Sequence, residues 1–409
     1  MPFVGREAAI QVAAQSAQFH AQAAELRSIQ HDEEYPRRSG NERLFAVGAP
    51  GVGKTRFGLE FPSLLRNYID DKTIQAKLAK TRIIHITFQN DRGIQPDTDQ
   101  KWKTPQEQVD WILTSRAIYA VYEVKEAYEK WAPKLAAMLG EQLPADFNMN
   151  SFSEKLLATD KPTTLYYFLD EVQEVLRLGN AGAVLVRTLS KLYHDYNTSK
   201  VLTLLLFAGT ILTDIVNLQD SMNVGRSPEF PIVALPMETL TEEQTYNLID
   251  TMYMQCKLPW LSTNWKANSA FLKLLAYTGG VPRMMEQLFD VCALNSNLNT
   301  AANELTSAVI RRYSLSVPDT RNPLLTACYL ALSGKTYELT EKVPGMPKRT
   351  IENLRALGVI FFNSNQNVTI PFIYLRIVLE NLWKDGLTQD IYYDKIIDLW
   401  TKISMPYVH

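Results

Sequence analysis

Short, continuous apolar runs recur along the first 236 residues, each ending in polar or glycine residues and each separated from the next by a stretch of helical periodicity. Runs of this kind predict parallel strands covered by helices on both faces, because a strand buried on both sides has no polar face to alternate with. Five are legible: RLFAVGAP from Arg43, TRIIHITFQ at 81–89, TTLYYFLD at 163–170, KVLTLLLFAGT at 200–210 and FPIVAL at 230–235. TRFGLEFPSLLRNYI predicts the helix joining the first two, and VLVRTLSKLYHDY a crossover helix before the fourth. An Ala/Gln/Glu-rich helix over 6–28 and a polar loop over 29–42 come before them. Residues 92–162 carry Asp/Pro/Thr punctuation and then helical periodicity, which predicts a helical insertion. The expected fold class for 1–236 is therefore α/β, a doubly wound parallel sheet.

From TEEQTYNLIDTMYMQ (241–255) onward the periodicity is helical throughout, and 237–317 is expected to be a separate helical unit. The remainder, 318–409, predicts a helix (NPLLTACYLALSG), a second helix (PKRTIENLRALG) and a β-hairpin in VIFFNSNQNVTIPF. Helix, helix and hairpin in that order suggest a winged-helix-like unit.

Composition adds little to this picture. A chain of 409 residues that is 46% hydrophobic and 21% charged is an ordinary globular sequence, and a net charge of −2 offers no overall attraction to nucleic acid or anionic membrane. Cys256, Cys292 and Cys328 are odd in number and match no metal spacing, which fits buried thiols in a reducing compartment. No run approaches the roughly 18 apolar residues of a membrane span. The expectation is an intracellular protein, cytoplasmic or nuclear, with a secreted effector whose leader is missing as the alternative. The five histidines form no metal spacing, and no Ser or Cys sits in a nucleophile motif.

The candidate chemistry is concentrated in four segments. Gly48-Ala49-Pro50-Gly51-Val52-Gly53-Lys54-Thr55 fits the P-loop pattern, between a predicted strand and a predicted helix. Its glycines let backbone N–H groups turn toward phosphates, and the helix N-terminus adds positive partial charge. Lys54 reaches the β and γ phosphates, and Thr55 ligates magnesium. Tyr166-Tyr167-Phe168-Leu169-Asp170-Glu171 is an apolar strand ending in two carboxylates. Asp170 would support the metal and Glu171 orient the attacking water; a pair of helix-capping acids is the plainer alternative. Ala208-Gly209-Thr210 closes a third strand and would set the Thr210 hydroxyl beside the γ-phosphate, or simply open a loop. In Gly279-Gly280-Val281-Pro282-Arg283, an arginine in a helix's first turn asks for an anionic partner, either the γ-phosphate or a carboxylate.

These segments, in this order, resemble the AAA+ and STAND divisions of P-loop ATPases: GAPGVGKT is similar to their Walker A, FLDE to Walker B, AGT to sensor 1 and GGVPR to sensor 2. Phe3-Val4-Gly5-Arg6-Glu7 is similar to the N-terminal signature that lies against the adenine. The resemblance implies ATP and Mg2+ as ligands. The implied nucleotide contacts are Val4, Gly5 and Arg6 together with Gly48, Pro50, Gly51, Val52, Gly53, Lys54, Thr55 and Arg56, with Thr55 and Asp170 on the metal. It also implies a homo-oligomer completed in trans by an arginine, for which Arg226 in NVGRSPEF is the match; a solvated loop arginine is the alternative. More narrowly, KTRF, LDEVQ and GVIFF…VTIPFIYL look like the ATPase module of Crinkler and retrotransposon-hot-spot proteins. The extra N-terminal module and the C-terminal nuclease-like effector usual in Crinklers are not visible, which leaves the output and any protein partner open.

Three functions follow as expectations: an ATP-driven switch between the α/β core and the helical unit, a nucleic-acid remodeller acting through the tail, and an ATP-binding scaffold with little turnover. For the second, residues 311–358 hold eight Lys/Arg against four Asp/Glu, and one predicted helix carries Lys348, Arg349 and Arg355.

Overall fold

The five apolar runs form five strands, β1 (Arg43–Val47), β2 (Thr81–Thr87), β3 (Thr164–Asp170), β4 (Leu202–Gly209) and β5 (Ile232–Pro236). In this computed structural model they make one sheet in the order β2-β3-β4-β1-β5, parallel throughout. The structure describes residues 5–384 except 30–42, 90–91, 177–179, 199, 212–231, 256, 296, 314–317, 364 and 366. Every residue of β1, β3 and β4 is buried, as expected where helices cover both faces. The fold is a doubly wound parallel α/β sheet with the strand order 2-3-4-1-5.

The chain divides into two compact units, one of residues 6–47 and 54–236, the other of 1–5, 48–53 and 237–409. The first holds the sheet. Among the described residues its helices in chain order are α1 (Glu7–Ile29), α2 (Lys54–Tyr68), α3 (Lys72–Leu78), α4 (Pro96–Asp99), α5 (Pro105–Val121), α6 (Tyr128–Leu139), α7 (Met149–Thr159), α8 (Gln173–Leu176) and α9 (Asn180–Tyr196). Successive β3 side chains alternate between two cores. Leu165, Tyr167 and Leu169 join the cluster built with Trp111, Phe152, Leu185 and Leu189 of α5, α7 and α9. Tyr166 and Phe168 face α2, where the Phe61 and Tyr166 rings lie 5.5 Å apart. At Gly58 a Cβ would fall 2.1 Å from the Phe168 ring, so only glycine lets α2 come this close, and the Tyr166 hydroxyl donates to the Gly58 carbonyl at 2.8 Å.

The insertion consists of α4 to α7 and is organised around a buried ion pair. Arg116 and Asp99 meet at 2.8 Å with both side chains 1% exposed. Asp99 also accepts from Trp111 Nε1, and Arg116 donates to the carbonyls of Arg92 and Gly93, so the buried charges are hydrogen-bonded on all sides.

The second unit contains α10 (Glu242–Met254), α11 (Ser269–Tyr277), α12 (Pro282–Leu294), α13 (Leu298–Arg312) and α14 (Pro318–Ser333). A hairpin of β6 (Lys342–Val343) and β7 (Met346–Thr350), α15 (Ile351–Ala356), a second hairpin of β8 (Phe361–Phe362) and β9 (Val368–Thr369), and α16 (Phe372–Lys384) follow. One expectation is corrected here. The segment 347–350, predicted as helix, is strand, and the helix starts only at Ile351. Thr350 caps α15 in a box with Asn353, which fixes the helix start there. Consequently Lys348 and Arg349 lie on a strand, while Arg355 is buried in α15 and donates to Glu352 Oε1 at 3.1 Å. The three cations do not share a helical face. Cys292 and Cys328 are buried free thiols, and Cys256 lies outside the described residues. Among the described residues no helix is long and apolar enough to cross a membrane.

Candidate functional site

In a doubly wound sheet, side chains that do chemistry collect beyond the carboxyl ends of the strands, where loops leave the sheet and helix N-termini point in. Strand register brings the relevant ends level here: Asp170 pairs with Thr87 on one side and Ala208 on the other, and Val47 with Gly209.

The docking of α2 on β3 brings the first turn of the helix to Asp170. Thr55 Oγ1 donates to Asp170 Oδ2 at 2.7 Å, across a sequence separation of 115 residues. Burial pushes the Asp170 carboxyl up to about 6, the Thr55 hydrogen bond opposes that rise, the Glu171 charge adds to it and Lys54 lowers it. Lys54, the first residue of α2, is itself 5% exposed. Asp170 is 1% exposed, and burial is the main cause of its upward shift. One hydroxyl and one carboxylate oxygen side by side suit a small hard cation that takes its remaining ligands from phosphate and water, as magnesium does. Among the described residues, no cluster of three or more His, Cys, Asp and Glu forms a protein-only metal cage.

Glu171 has left-handed backbone at φ 57, a conformation that costs a side-chain-bearing residue about 1 kcal/mol or more. Its N–H donates to Asp170 Oδ1 at 3.1 Å, and its carboxylate is held at both oxygens. Gln89 Nε2, two residues past β2, donates to Oε1, and Gln173 Nε2, at the start of α8, donates to Oε2. Gln173 Oε1 in turn accepts from the Thr210 N–H at 3.3 Å, and Thr210 is buried at the end of β4. Neither glutamine was marked by the sequence motifs, although both lie in quoted segments, Gln89 closing TRIIHITFQ and Gln173 in LDEVQ. Their roles depend on strand register, which no local pattern carries.

Gly48 to Gly53 link β1 to α2 in the chain and belong to the helical unit. Gly51 has φ 86 and Gly53 φ 94, both in the region that glycine alone enters without strain. Within that unit the Arg283 N–H donates to the Gly51 carbonyl at 3.1 Å, so the start of α12 is fastened to the glycine-rich loop through main chain. The Arg283 side chain is half exposed and pairs loosely with Glu286 at 3.7 Å. Val52 is buried, Pro50 sits close to Gly358, and Gly5 lies against Leu240 and Gln244. In the sheet unit, Arg6 is buried, and Arg56 pairs with Glu60 one turn on at 2.7 Å. Val4 and Arg226 lie outside the described residues.

The structure thus joins Thr55 to Asp170, and Glu171 to Thr210 by way of Gln173; it leaves Arg283 and Arg56 with carboxylate neighbours on their own helices. No protein-family profile matches the chain, and no curated protein matches it. Among solved structures, the chain is similar to the Walker-type ATPase PABY2304 of Pyrococcus abyssi, at 13% identity and a TM-score of 0.46, over 92% of this chain and 96% of that one. It is similar to C. elegans PCH-2 at 14% identity and 0.39, over 75% of this chain and 68% of that one. It is also similar to the ORC2 protein of Aeropyrum pernix, solved in ADPNP and ADP complexes, at 10% identity and 0.41, over 90% and 94%.

Proposed function

We propose that the chain binds ATP with magnesium and hydrolyses it, and that the nucleotide state sets the relation between its α/β and helical units. The observation that carries this reading is the 2.7 Å hydrogen bond between Thr55, in the first turn after the glycine-rich loop, and the buried Asp170 at the end of β3. That pair is the donor set a P-loop enzyme needs beside its phosphates. Thr55 and Asp170 would hold the magnesium, which when bound would supply positive charge to offset that developing on the phosphates.

The remaining steps belong to the chain's own groups. Backbone N–H groups of the loop and the N-terminus of α2 attract the phosphates, and the buried Lys54 ammonium compensates their charge. Glu171 accepts the proton of a water aimed at the γ-phosphorus, and the Thr210 hydroxyl donates to a γ-oxygen. Arg283 is the basis for the switch: its main chain already holds Gly51, and its half-exposed guanidinium would exchange Glu286 for the γ-phosphate. The choice of ATP over GTP rests on the AAA+/STAND resemblance.

Magnesium-dependent ATP turnover and nucleotide binding, measured together at two protein concentrations, test the proposal. Lys54→Ala is expected to lose binding, and Glu171→Gln to bind ATP while losing turnover by about a hundredfold or more. Wild-type turnover no greater than that of Glu171→Gln at either concentration would leave a nucleotide-binding scaffold.

A further inference from the structure

Gln173 belongs to no motif, yet its side chain is bonded at both ends inside the site. Its Nε2 donates to Glu171 Oε2, and its Oε1 accepts from the Thr210 N–H at 3.3 Å. The orientation of the amide is dictated by chemistry. An ionised carboxylate only accepts and a backbone N–H only donates, so a flipped amide would face like against like at both ends. Room for it is provided by Gly209: a Cβ there would fall 2.5 Å from Gln173 Oε1, so the glycine before Thr210 is what admits the amide to the strand end. The neighbouring main chain is tied as well, with the Val172 N–H donating to the Ala208 carbonyl at 3.1 Å.

We infer that Gln173 is a positioning residue that makes the end of β4 set the place of the Glu171 carboxylate. The inference rests on the proposed roles of Glu171 and Thr210. A planar amide fixes the separation of its donor and acceptor, so a displacement of Thr210 on meeting the γ-phosphate is passed to Glu171 Oε2. Gln89 holds the other oxygen from β2, so the carboxylate is aimed by two strands, of which only β4 carries a group that meets the nucleotide. Left-handed backbone at Glu171 is a sparsely populated conformation that the surrounding contacts must hold.

The test compares wild type, Gln173→Leu, Thr210→Val and the double variant by Mg·ATP turnover, nucleotide affinity and melting temperature. Leucine keeps the bulk and removes both bonds. The expected result for Gln173→Leu is a fall in kcat of about ten- to a hundredfold, the scale of a misplaced reacting group, with affinity within about twofold of wild type and an unchanged melting temperature. The double variant is expected to be no slower than the slower single variant, since both act on one path. An unchanged kcat in Gln173→Leu, or kcat, affinity and melting temperature falling together, would overturn the inference.

A second measurement does not depend on turnover. With glutamine side chains labelled by 15N, the Gln173 amide signals are expected to move when a non-hydrolysable ATP analogue and magnesium are added to wild type, and to stay in place in Thr210→Val. Signals that stay in place in wild type, or move equally in both, overturn the inference even if wild type turns over ATP. A wild type that binds the analogue and moves the signals without hydrolysing ATP overturns the ATPase reading and supports the link.

Discussion

His85 shows how a single residue's environment becomes a property of the whole chain. Its ring stacks on Phe168 with centroids 4.8 Å apart, and its Nε2 is buried with no hydrogen-bond partner. Burial, with the charge of Arg92 second, lowers its pKa from 6.5 to about 4. Between those values the unfolded chain holds a proton that the folded chain does not, so stability is full above pH 6.5 and is lost as pH falls toward 4. By pH 5 the loss from this one group is on the order of 2 kcal/mol. Asp170, raised to about 6, contributes with the opposite sign over part of the same window and is common to both proteins in a comparison with His85→Phe, which keeps the stack. Urea midpoints are expected to fall between pH 7 and pH 5 by clearly more in wild type than in His85→Phe; equal shifts would place the pH sensitivity elsewhere.

At the scale of elements, the insertion between β2 and β3 holds a buried ion pair beside its apolar core. The Arg116 guanidinium lies over the rings of Phe88 and Tyr128 and bonds the carbonyls of Arg92 and Gly93, three and four residues beyond Gln89. Replacing it leaves the Asp99 carboxylate buried and uncompensated, so Arg116→Met is expected to destabilise the chain by about 3 to 5 kcal/mol in urea unfolding. Pairing it with Asp99→Asn should cost less than the sum of the two single changes, because the orphaned charge is then gone. The same scale explains where prediction from sequence went astray in the tail. Lys348, Arg349 and Arg355 have helical spacing, but the Thr350 cap overrides periodicity by starting the helix after the first two, and Arg355 is buried with Glu352. Arg355 and Glu352 leave the surface as a pair, which removes one cation and one anion together and keeps the net charge of the segment unchanged.

For the molecule as a whole, the proposed nucleotide-driven switch would act between the two compact units into which the chain divides. A ligand shifts such an equilibrium only by its differential affinity for the two states. Small-angle scattering with a non-hydrolysable ATP analogue and with ADP is therefore expected to give different radii of gyration, and Arg283→Ala to abolish the difference. Identical curves for the two nucleotides in wild type would argue for a scaffold.

The apolar runs determined the five strands, because a strand buried on both faces must be apolar whatever its neighbours are, and GAPGVGKT determined the loop and helix start, because contiguous residues fix local backbone geometry. Tertiary structure alone decided the strand order, and with it which strand ends stand level. That register brings Thr55 to Asp170 across 115 residues and ties Gln89 and Gln173 to Glu171. Glutamines have no periodicity or spacing that marks them, and their partners were chosen by the pairing of strands far apart in the chain.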